Sequence, residues 1–377
     1  MSQEPFGDIP LFRELQRLLS SSTGPVNREI ARQVGLAIAT QGAPDGPPER
    51  AVTASFDAAV HEVEGPLSGY TRLVMTEPMR SHVVGLSWWV IATLDGWSWL
   101  FDRLAGRFSG DMGAVEGEAD PGPLQAALAQ LGPLLMGLQA GTLVGHLARD
   151  SLGRYDLPVP RDDDGRPFFV GPNVARAIAD YDFDAETFRR WLALQQMARH
   201  LVVSSVPWVH RYLKSLLLEV IDAIEVDASD LERRLTDLQS QGISALQEGI
   251  GANVLPVVPT DRHRRGLDRL HAFLALFEGY ASHAARALAP EIVGDTRRID
   301  EGMARRDAAA SNGRDLLTGL LGISIDRAAE DTGATFCAAV TRLKGPEALN
   351  RVWEAPDNLP DGEELRDPFA WMERHNL

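Results

Sequence analysis

The sequence predicts a mainly α protein, and three observations carry that expectation. Apolar residues recur at spacings of three and four along at least ten segments of helix length. Only one short run, 167–170 (Pro167, Phe168, Phe169, Val170), reads as β-prone. With 44% of its 377 residues apolar, the chain has ample material for a core made by packing helix on helix.

The elements follow in order. Residues 10–19 give a short helix through Leu11, Phe12, Leu15, Leu18 and Leu19, and a second helix runs from about Pro25 to Ala39. Turn signals fill 41–49. A helix over 51–63 follows, with further helical character from Pro66 to Ser81. The block 80–104 is the densest apolar stretch and is expected to be deeply buried. Residues 108–122, rich in glycine and acid, read as a mobile linker or surface loop. Helix resumes over 123–149, and 155–166 reads as a polar, turn-rich loop. Asn173 is placed to cap a short helix over 174–181. Two strong helices, 185–203 and 206–224, are separated by Ser204 and Ser205. Either serine can cap the second helix, with Pro207 in its first turn. Residues 226–251 are polar and amphipathic, 253–260 extended, and 262–288 helical with a break at Pro290. Helices over 295–311, 313–321, 326–343 and 346–354, then a short one in the tail, complete the chain. It is expected to form one domain, 1–377. A finer division gives an N-terminal helical lobe 1–107, a flexible segment 108–122 and a core lobe 123–377.

Charge narrows the function classes. Fifty-three acidic residues against 37 basic ones give a formal charge of -16, a field that repels nucleic acid and anionic membranes. The basic cluster Arg262, His263, Arg264 and Arg265 reads as a solvated loop leading into a helix. Cys337 is the only cysteine, which rules out an internal disulfide and a cysteine-based metal cluster. No signal-like start or bilayer-length apolar run is seen, so cytoplasmic residence is the expectation. The eight tryptophans are grouped, as at Trp88 with Trp89 and Trp97 with Trp99, and mark packed seams.

One helix draws attention for its chemistry. The stretch Trp191-Leu192-Ala193-Leu194-Gln195-Gln196-Met197-Ala198-Arg199-His200 sits among further distinctive segments: 145–160 (GHLARDSLGRYDLPVP), 170–173 (VGPN), 206–208 (VPW), 278–281 (EGYA) and 347–353 (EALNRVW). On these residues the chain resembles the zincin-like metallopeptidases of actinobacteria, a family classed with hydrolases and associated by name with synthesis of a deazaflavin coenzyme. The resemblance implies a helical metallopeptidase scaffold with minor β content. In active relatives this helix carries His-Glu-x-x-His, where two imidazoles one turn apart share a zinc ion and the glutamate polarises its water. Laid on this chain, the first His falls on Gln195, the general-base Glu on Gln196 and the second His on Arg199. The later carboxylate ligand falls on Glu278, which is kept.

These replacements are chemically severe. An amide at Gln195 is a poor zinc ligand, and an amide at Gln196 has no useful basicity. The Arg199 guanidinium has no lone pair and carries a permanent charge of the metal's own sign. The expectation is a degenerate member with no metal and no cofactor, in which Arg199 faces Glu278. Without the resemblance, the same residues read as ordinary exposed helix positions.

A rebuilt metal site on His200, Glu278 and His283 is the alternative. Against it, His200 lies about 100° around the helix from Arg199, and His283 roughly 140° from Glu278. The preferred function is a non-catalytic protein kept for binding or scaffolding, with a protein or small-molecule partner of unknown identity. The rivals are a hydrolase of altered, metal-independent chemistry and a purely structural interaction module.

Overall fold

In the computed structural model the described residues are 24–43, 45–75, 80–113, 123–226, 257–258, 260–309, 312–322 and 327–377. The protein is mainly α, as its periodicity predicts. The helices are α1 (Arg28–Thr40), α2 (Arg50–Thr71), α3 (Leu86–Gly96), α4 (Ser98–Gly113) and α5 (Pro123–Asp150). They continue with α6 (Gly171–Tyr181), α7 (Ala185–Ser205), α8 (Val209–Asp222), α9 (Asp261–Ile292) and α10 (Arg297–Ala309). The last are α11 (Asn312–Leu321), α12 (Arg327–Lys344), α13 (Pro346–Leu349) and α14 (Pro368–Arg374).

Two small sheets and three 3-10 turns, at Arg154–Asp156, Asn350–Trp353 and Pro356–Asn358, complete the described elements. Strand β1 (His82–Val84) pairs in parallel with β2 (Phe168–Val170), in the register His82 with Phe168 and Val84 with Val170. The β-prone run is therefore a strand, and its partner lies inside the dense apolar block. A parallel pair needs a long crossover, here built from α3, α4 and α5. Strand β3 (Glu225–Val226) pairs antiparallel with β4 (Val257–Val258). The expected helix over 10–19 and most of the polar segment 226–251 lie outside the described residues.

Side chains fix several helix starts. Asn27 Oδ1 accepts from the Ile30 amide at 3.1 Å, Asp184 Oδ1 from Thr187 at 2.9 Å and Thr260 Oγ1 from His263 at 3.2 Å. The central helices α7 and α9 carry the most buried faces. From α7, Phe188, Leu192, Met197 and Leu201 enter one core cluster with Ala281, Ala285 and Leu288 of α9. Trp89, Trp97 and Trp371 are fully buried, whereas Trp88 is 42% exposed, so the dense apolar block keeps one face open.

Several expectations need correction. The serines do not cap α8: α7 runs on through Ser205, and α8 starts at Val209 behind Trp208 with no capping side chain. Ser204 Oγ instead donates back to the His200 carbonyl at 2.8 Å, a local bond that competes with capping. Asn173 lies within α6, which starts at Gly171. Its Nδ2 donates to the Ala148 and Ser151 carbonyls at 2.7 and 2.6 Å, tying α6 to the end of α5. Pro290 does not break α9, because it falls in the last turn, where one missing bond is tolerated. The cluster at 262–265 is the first turn of α9 rather than a loop, and His263 is buried. Helix α4 extends through Gly113, so 108–113 is helical, while 114–122 lies outside the described residues. No described helix is long and apolar enough to cross a membrane.

Candidate functional site

The site is assembled where α7 meets α9. On α7, Trp191, Gln195 and Arg199 recur every fourth residue and form one partly exposed stripe. The neighbouring positions Leu192, Leu194 and Ala198 are buried and hold the helix in place.

Arg199 points across to α9. Its Nε donates to Glu278 Oε2 at 2.6 Å, and its Nη1 donates to the Gln195 carbonyl at 2.8 Å. The two side chains retain only 13% and 10% of their exposure, so this is a buried ion pair, screened little by water. Burial pushes the Glu278 carboxyl above the usual carboxylate range, and Arg199 pulls it part of the way back. Burial likewise opposes the charge on Arg199, but Glu278 and Glu330 more than compensate and raise its pKa further.

Gln196 faces another direction. It is 3% exposed and turned into the 3-10 turn Arg154–Asp156. Its Oε1 accepts from the Tyr155 amide at 2.8 Å, and its Nε2 donates to Asp156 Oδ1 at 2.6 Å. The other carboxylate oxygen of Asp156 accepts from the Gly153 amide at 3.1 Å and from the Leu152 amide. Gly153 packs closely here: a Cβ on it would lie 2.6 Å from the carboxamide carbon of Gln196 and would push that side chain from its bonds. The amide therefore bonds in both directions to a single turn.

The two histidines of the alternative metal site have separate partners. His200 Nδ1 lies 2.8 Å from the Tyr155 hydroxyl, and His283 Nε2 lies 3.0 Å from the Tyr70 hydroxyl. Burial holds His200 neutral, at about 4, and pushes Tyr155 up to about 12, so the bond joins a neutral imidazole to a neutral phenol. Among the described residues, no three His, Cys, Asp or Glu side chains gather closely enough to hold a metal ion.

The positions that the resemblance assigns to zinc do not fit that ion. Gln195 brings a neutral amide, Gln196 is bonded to the turn, and Arg199 brings a cation into contact with Glu278, the one carboxylate kept.

Sequence reasoning missed the polar layer beside the site. The loop 155–166 is not simply a solvated turn. Arg154 forms a two-pronged pair with Asp163 at 2.6 and 2.9 Å and is itself only 8% exposed. Arg161 is buried between the Trp89 and Phe168 rings, with centroids at 5.0 and 4.8 Å. No local pattern marks these arginines. Asp163 follows Arg154 by nine residues in the same segment, whereas the partners of Arg161 lie on α3 and β2, and only the fold brings those together.

Comparisons with known proteins agree with this architecture. A family model described as zincin-like metallopeptidase matches residues 26–372. The crystal structure of a putative hydrolase with a novel fold from Chloroflexus aurantiacus superposes with a TM-score of 0.67. The two are 24% identical, over 93% of this chain and 99% of that one, a likeness that speaks to the fold alone. No curated protein matches the chain.

Proposed function

We propose, from the premise that the chain belongs to the zincin-like metallopeptidase family, that it is a non-catalytic member that binds rather than cleaves. One observation carries the reading. At the position where the family pattern calls for a second zinc-binding histidine, the Arg199 guanidinium lies 2.6 Å from Glu278. A fixed internal cation there supplies the charge that Glu278 would otherwise seek in a metal. Gln196, at the position of the general base, can neither take a proton from water nor leave its turn without breaking two hydrogen bonds.

The pair is not closed on itself. Among the described residues, Arg199 Nη2 and Glu278 Oε1 enter no hydrogen bond. We attach no deazaflavin ligand to the site, because the sequence has no glycine-rich phosphate cradle. A reducing compartment such as the cytoplasm suits the single buried Cys337.

Metal analysis with calorimetry tests the reading. The purified protein is expected to hold no stoichiometric zinc and to melt at the same temperature with and without chelator, since no metal binding is linked to folding. One tightly held equivalent of zinc, with a chelator-sensitive transition, would overturn it.

A further inference from the structure

At the carboxyl ends of β1 and β2 the fold leaves a cavity of about 420 Å³. Strand β1 passes through Gly85 into α3, and β2 runs directly into α6 at Gly171. Where parallel strands turn into helices at one edge, a crevice suited to ligands is left. The volume falls within the usual range for small-molecule sites. Its walls are mostly hydrocarbon, from Val52, Val83, Val84, Leu86 and Val174.

Three charged side chains also line it: Asp45, Glu49 and Arg189. Asp45 Oδ2 accepts from the Ser87 amide at 2.6 Å, which anchors this carboxylate at the start of α3. Glu49 is exposed to water. Arg189 differs. Its Nε is buried and makes no hydrogen bond among the described residues, and its Nη1 reaches Ser55 Oγ only at 3.3 Å. Its Nε is enclosed by protein, so a ligand in the cavity meets the guanidinium through its outer nitrogens, whose fork suits a planar pair of anionic oxygens. The first turn of α6, which no side chain caps, borders the same space.

We propose that this cavity binds a small carboxylic acid with an apolar body. The carboxylate lies on Arg189, and the hydrocarbon lies against the valines. The site is separate from the Arg199–Glu278 pair: Arg189 and Arg199 are ten residues apart on α7, about 15 Å along the helix.

Sodium hexanoate serves as the probe, followed by saturation-transfer NMR and calorimetric titration on the full chain. Saturable hexanoate binding is expected, with 1-hexanol and hexylammonium at least tenfold weaker. Arg189→Gln should weaken hexanoate tenfold or more. Ala175→Trp, which fills the cavity mouth from an exposed position, should abolish binding without touching the arginine. Arg286→Gln, at an exposed position on α9 outside the cavity lining, should leave hexanoate affinity unchanged. Absent saturable binding, equal binding of hexanol or hexylammonium, or indifference to both cavity substitutions would each overturn the proposal.

Discussion

Gln196 and Asp156 are joined by a 2.6 Å hydrogen bond in which the amide Nε2 donates and the carboxylate Oδ1 accepts. The arrangement depends on position 196 being neutral and able to donate. A glutamate there would place two carboxylates in contact inside the protein. Position 196 thus serves as a strut between α7 and the turn at Arg154–Asp156, a role incompatible with an ionised base.

Gln196→Glu should therefore destabilise the protein by roughly 2–4 kcal/mol at pH 7 to 8, through a lost donor and a buried like-charge contact. The new carboxyl would have a folded pKa raised above its unfolded value, by burial and by Asp156. Its stability deficit is then absent below the unfolded pKa and grows as pH rises through the folded one. Urea titrations at pH 5 and pH 8 should show the larger deficit at pH 8. Asp156→Asn in the same chain should recover part of it. An equal deficit at both pH values would refute the contact as its cause.

The Arg199–Glu278 pair makes a second prediction. Glu278→Ala leaves a buried guanidinium without its partner and should cost about 3–5 kcal/mol. Replacing both residues with leucine removes both desolvation penalties, and the double variant should fall much closer to the parent than the single one. Chemical denaturation of the parent, Glu278→Ala, the single variants Arg199→Leu and Glu278→Leu, and the double leucine variant checks this. Additive losses would mean that the two side chains are not energetically coupled.

Acid should expose the pair beside the site. Burial works to raise the Asp163 carboxyl, but hydrogen bonds from Arg154 outweigh it and hold the pKa below the usual carboxylate range. The folded pKa is thus depressed, so the stabilisation is present above the unfolded value near 4 and is lost as pH falls through the folded one. Asp163→Asn should be about 3 kcal/mol less stable at pH 7, because it strands the nearly buried Arg154. The gap should narrow as pH falls through the depressed folded pKa of Asp163. A gap independent of pH would assign the loss to packing instead.

The helical architecture was legible because amphipathic spacing is local: a 3.6-residue repeat announces a buried stripe whatever covers it. The strand at Phe168 was legible for the same reason, while its partner at His82 was masked by the apolar block around it. Cap assignments were less secure. Ser204 looks like a cap in sequence, yet its hydroxyl bonds backward to His200, and α8 starts behind Trp208 with no capping side chain. At the site, the residue types at 195, 196, 199 and 278 could be read one by one. Their directions could not. That Arg199 turns to α9 while Gln196 turns to the Asp156 turn depends on contacts 79 and 40 residues away in the chain.

The sharpest prediction concerns restoring a metal. Gln195 and Arg199 are one turn apart on the same stripe, and Arg199 already touches Glu278. Histidines at 195 and 199 would bring two imidazoles and a carboxylate to one point, a ligand set that suits zinc. Gln196 should be left in place, since it supports the turn and is not a ligand. The double variant Gln195→His with Arg199→His is therefore expected to bind about one equivalent of zinc and to gain a chelator-sensitive melting transition. Gln195→His alone should bind none, because Arg199 would still hold a positive charge one turn away. Adding Gln196→Glu should lower stability without raising zinc affinity. Elemental analysis and calorimetry of the three variants settle the order. No zinc in the double variant would mean that positions 195, 199 and 278 do not converge as the family pattern places them.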